Sequence, residues 1–64
     1  MNNETRILIV EDLLTDYELA RREIRKAITQ CIFERAEKQE DFLKALDQFR
    51  PDLILSDYKL PGFD

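Results

Sequence analysis

Three carboxylates stand where aliphatic runs end: Glu11 and Asp12 directly after Ile7-Leu8-Ile9-Val10, and Asp57 after Leu53-Ile54-Leu55 and Ser56. If the two runs are neighbouring parallel strands, all three acidic residues leave the same sheet edge. Like charges gathered there repel unless a cation sits between them. A few hard oxygen donors suit Mg²⁺, which keeps several waters and takes one or two carboxylates together with phosphate oxygens. An aspartate beside such a metal can attack phosphorus and form an aspartyl-phosphate, because the cation offsets the charge of the carboxylate and of the incoming phosphoryl group. A plainer role stays open. An acidic residue at a strand end also caps a turn or helix, and Asp12 taken alone fits that role as well.

The elements that must position these residues follow from the patterning. Ile7 to Val10 is a continuous, mostly β-branched run, suited to a strand covered on both faces in a parallel sheet. Beyond Glu11-Asp12, Thr15 and Glu18 stand at capping-box spacing with Asp16 in the first turn, so a helix is predicted to run to about Ile28. Its apolar stripe is Leu13, just before the cap, then Tyr17, Ala20, Ile24, Ala27 and Ile28. Arg21, Arg22, Arg25 and Lys26 fall on the opposite face. They read as a solvated surface whose cations suit the helix C-terminus, with a docking patch as the alternative. Cys31-Ile32-Phe33 and Glu34-Arg35-Ala36 give a second strand whose charged end predicts an edge position. Between Gln39 and Phe49 the residues Phe42, Leu43, Ala45, Leu46 and Phe49 keep helical spacing, with Phe42, Leu46 and Phe49 as core. Arg50-Pro51 ends that helix. Leu53 to Leu55 is the third strand, and Pro61-Gly62 signals a loop.

Strand, helix, strand, helix, strand predicts an α/β fold with two right-handed crossovers and three parallel strands. If the second crossover passes over the first strand, the order is 2-1-3. The loops leaving strands 1 and 3 then diverge at a topological switch point, where ligands bind in open α/β sheets.

Composition narrows the function classes. The 64 residues make at most one small domain, and a chain of that size buries only about 60% of its unfolded surface. With 44% hydrophobic and 38% charged residues, one Gly and two Pro, the chain does not read as disordered. Ten basic against fourteen acidic residues give a net charge of -4, which offers no electrostatic footprint for nucleic acid or an anionic membrane. Direct nucleic-acid binding and membrane association are therefore not expected, and partners should be proteins or cations. Cys31 is the single cysteine; it has no partner for an internal disulfide or a thiolate metal site and fits a cytoplasmic setting. The polar start Met1 to Arg6 leads into only four aliphatics, too few for a signal-peptide core or a membrane span.

The segments I-L-I-V-E-D, Ile7 to Asp12, and P-D-L-I-L-S-D-Y-K-L-P-G-F-D, Pro51 to Asp64, resemble the signatures of response-regulator receiver domains. That resemblance implies a flavodoxin-like fold, Mg²⁺ organised by Glu11 and Asp12, and Asp57 as the phosphoacceptor and a metal ligand. It further implies a metal contact from the backbone carbonyl of Lys59, and Leu60, Pro61 and Gly62 match the turn that usually follows. The partner would be a histidine kinase or phosphotransfer protein in a two-component phosphorelay. The domain would be regulatory rather than an enzyme, at most phosphorylating and dephosphorylating itself. With no histidine, this chain cannot be the phosphohistidine donor.

A receiver is about twice as long, so residues 1–64 are expected to be a truncated receiver: strands 1 to 3, helices 1 and 2, and the start of the loop after strand 3. The Ser or Thr and the buried Lys that read the phosphate belong to later strands, and Lys59 cannot stand in for that lysine. Switching would then be impaired. A haloacid-dehalogenase-type phosphatase also places a nucleophilic Asp after an apolar strand, but it requires an Asp where this chain has Lys59. The third strand would be an exposed apolar edge, which predicts a homodimer through it, or a non-catalytic interaction module that self-associates.

Overall fold

A computed structural model describes residues 4–56. Five elements follow in order: β1 (Thr5–Val10), α1 (Leu14–Ala27), β2 (Cys31–Ala36), α2 (Gln39–Gln48) and β3 (Leu53–Ser56). The three strands form one parallel sheet in the order β2-β1-β3. The fold is the expected α/β arrangement, with the charged second strand on an edge.

β1 lies in the centre, paired on both sides, and its four consecutive aliphatics Ile7 to Val10 are all buried, as a strand covered on both faces requires. Leu8 and Val10 pack with Ala36 and Ala45, and Phe42 and Phe49 lean on them. Ile7 and Ile9 pack with Tyr17 and Cys31 on the other side, joined by Ala20, Ile24, Ile28 and Phe33. Side chains alternate across a strand, so these two sets put α2 and α1 on opposite faces of the sheet. Each fully buried aliphatic of β1 stabilises the fold by about 1.5–3 kcal/mol. Cys31 is buried in the α1 layer, and its thiol donates to the Ile28 carbonyl at 3.2 Å.

The helix ends differ in part from expectation. α1 starts one residue before Thr15, with Leu13 as an extended N-cap at φ -98 and ψ 120 and no side-chain cap bond. The Thr15–Glu18 capping box does not form, because an N-cap residue must be extended and Thr15 is already helical. Leu13 is 55% exposed and Ala27 is exposed too, so the stripe facing the sheet is the buried Tyr17 with the half-buried Ala20, Ile24 and Ile28. In α2, Asp41 Oδ2 accepts the N–H groups of Lys38 at 3.3 Å and Glu37 at 3.4 Å. This is half a capping box, since the Lys38 ammonium has no acceptor to complete it. Leu46, expected in the core, is 38% exposed; the inner face is Phe42, Ala45 and Phe49, and position 46 lies a further 100° or so around the helix.

The run from α2 to β3 is tight. Arg50 takes a left-handed φ of 55, and the N–H groups of Phe49 and Arg50 both donate to the Ala45 carbonyl, at 2.8 and 3.0 Å. Pro51 follows, with no N–H to continue the helix. Asp52 then clasps the start of β1: its N–H donates to the Arg6 carbonyl at 2.7 Å, and its Oδ2 accepts the Arg6 N–H at 2.8 Å. This reciprocal pair sets the register of β3, Ile7 beside Leu53 through Val10 beside Ser56.

Candidate functional site

Parallel pairing ends β1 and β3 together, at Val10 and Ser56. The Glu11–Asp12 turn therefore leaves the strand beside the one that Asp57 follows in sequence. Asp57 and Lys59 lie outside the described residues, as does the Pro61-Gly62 loop; Glu11 and Asp12 are described.

Glu11 is held through three of its groups. Its N–H donates to the Ala36 carbonyl at 2.9 Å, which extends the ladder to β2 by one step. Its own carbonyl accepts from Arg35 Nη1 at 3.1 Å. Its carboxylate Oε2 accepts the Leu13 N–H at 3.2 Å, next to the first turn of α1, where the helix dipole favours negative charge. The capping role left open for Asp12 thus falls to Glu11. Asp12 is exposed.

Arg35 is the residue that sequence reasoning missed here. It stands one position from the end of β2, its Nη1 is 3.6 Å from Glu37 Oε1, and its side chain is 29% exposed. Its guanidinium carbon lies 6.0 Å from the centre of the Tyr17 ring, which Arg21 also approaches at 5.4 Å. The available signal was a cation inside a strand whose same-face neighbours, Cys31 and Phe33, are apolar.

Two adjacent carboxylates, one of them exposed, are hard-oxygen donors of the number Mg²⁺ uses. Among the described residues no three His, Cys, Asp or Glu side chains gather as a metal group. A cation at this turn would therefore take its further protein oxygens from outside the described residues, where the expected ligands Asp57 and Lys59 lie.

Two of the surface depressions along α1 bear on its basic and its apolar face. Glu18, Arg21, Arg22 and Arg25 line one of about 240 Å³. Of the basic face, Arg22, Arg25 and Lys26 are exposed as expected, while Arg21 is half-buried over the Tyr17 ring; Arg25 also lies over Phe33 at 5.6 Å. The other depression, about 230 Å³ and apolar, lies between Ile24 and Ile28 of α1 and the side chains of β3. Among the described residues no helix is long and apolar enough to cross a membrane.

No family model, curated protein or solved structure matches the chain.

Proposed function

We propose that this chain is a receiver-type phosphoacceptor in two-component signal transduction, which takes a phosphoryl group onto Asp57 from the phosphohistidine of a histidine kinase or phosphotransfer protein. The observation that supports this is the β2-β1-β3 order with Val10 beside Ser56, which sets the Glu11–Asp12 turn next to the strand leading to Asp57. In the proposed step an Asp57 carboxylate oxygen forms a bond to phosphorus as the donor's P–N bond breaks, and the imidazole leaves with the electron pair of that bond. Glu11, Asp12, Asp57 and the Lys59 carbonyl would hold Mg²⁺, which offsets charge on the attacking and transferring groups. The role is that of a regulatory acceptor rather than an enzyme, in a reducing cytoplasmic setting that keeps the Cys31 thiol free.

The test is Mg²⁺-dependent uptake of a phosphoryl group or of beryllofluoride, compared between the chain, its Asp57→Asn variant and a version extended past Asp64. Uptake lost in Asp57→Asn supports the assignment. Equal uptake in that variant overturns it. Signal only from the extended version assigns residues added after Asp64 a part in the reaction.

A second role, a self-associating interaction module, is favoured by β3, whose Leu53, Ile54 and Leu55 are 48%, 46% and 44% exposed. An apolar edge strand of this kind invites pairing with another strand. Light scattering after size exclusion should show a dimer that Ile54→Lys dissociates; a wild-type monomer at all concentrations eliminates this role.

A further inference from the structure

Resting on the acidic site proposed above, we propose that Arg35 is its positioning residue, holding the Glu11–Asp12 peptide against the end of β2 so that the turn is set before any cation arrives. The Glu11 carbonyl that accepts from Arg35 belongs to the peptide joining the two acidic residues. With the Glu11 N–H on Ala36 and the carboxylate on Leu13, this bond fixes the peptide plane from which Asp12 projects. Arg35 is itself placed by Glu37 and by the Tyr17 ring. A guanidinium suits this position because its planar fork can reach an acceptor while its flat face rests on an aromatic ring. Strand pairing and apolar packing do not account for a cation at this point of β2; its hydrogen bond to the Glu11 carbonyl ties it to the acidic turn.

Two variants test the bond. Arg35→Met removes the charge and every N–H donor at similar apolar volume, and Arg35→Lys keeps the charge and an ammonium donor that falls one bond short of the Nη1 position. Two readouts are taken: hydrogen exchange of the Glu11 and Leu13 amides in chelator, and Mg²⁺ affinity by calorimetry. Arg35→Met should speed exchange at the turn and weaken Mg²⁺ binding about tenfold, the size expected when a group orienting metal ligands is lost. Arg35→Lys should recover part of both. An Arg35→Met variant that matches wild type in exchange or in affinity overturns the proposal. A wild-type turn whose protection depends on Arg35 but which binds no Mg²⁺ is a different failure: it overturns the metal site, and with it the role of Arg35 there.

Discussion

Replacing Asp52 with alanine removes one bond of the clasp that joins β3 to β1. The backbone bond from the Asp52 N–H to the Arg6 carbonyl survives, whereas the 2.8 Å bond from the Arg6 N–H to Oδ2 is lost. A hydrogen bond to a charged acceptor contributes about 1.5–3 kcal/mol, and exposure here lets water reach the Arg6 N–H, which brings the expected loss to about 1–1.5 kcal/mol. In a domain of this size each kcal/mol moves the melting temperature by about 4–8 °C, so Asp52→Ala should melt roughly 5–10 °C lower. Asp52→Asn keeps a carbonyl acceptor without the charge and should lose about half as much. The loss should also be local. β3 has four residues and one neighbouring strand among the described residues, so its amides should exchange about tenfold faster while those of α2 follow only the global change. Thermal melts by circular dichroism and amide exchange by NMR measure both effects. Asp52→Ala melting within about 1 °C of wild type, with β3 protection unchanged, would refute the claim that this clasp holds the strand.

Relief of backbone strain should make Arg50→Gly more stable by about 0.5–1 kcal/mol, since the left-handed region costs a non-glycine residue about 1–2 kcal/mol and glycine's looser unfolded chain returns part of that; urea melts check it, and a loss of stability contradicts the strain. Thr15→Ala should stay within about 0.5 kcal/mol of wild type while Glu11→Ala loses about 0.5–1 kcal/mol in chelator, the reverse of what a Thr15 cap requires. Leu8→Ala should cost about 3–5 kcal/mol, a large part of a total stability of roughly 3–10 kcal/mol for this length, so a melt followed by circular dichroism should fall by about 12 °C or more; a cooperative melt near that of wild type would mean that Leu8 is not central to the core.

The layout was legible because it rests on local chemistry. Ile7 to Val10 could only be a strand covered on both faces, the charged end of β2 marked an edge, and Arg50-Pro51 stopped α2. Where each helix begins was less legible. Thr15 has the side chain of a cap, but the helix has already begun at Leu14 behind an extended Leu13, and a glutamate from the preceding strand end supplies the acceptor. Leu13, Ala27 and Leu46 were read as buried from their apolar type; how much of each is covered depends on the sheet under the helix, and β3 has only four residues to offer.

The order and type of the five elements, and the acidic residues after β1 and after β3, follow from strand and helix periods and chain punctuation, which are short-range properties of the sequence. That Asp52 reaches back to Arg6, and that Arg35 holds the Glu11 carbonyl, is a product of the packed fold. Both contacts join residues far apart in the chain, 46 and 24 positions respectively. No local pattern encodes such a pair; it exists only once β1 has been laid between its two neighbours.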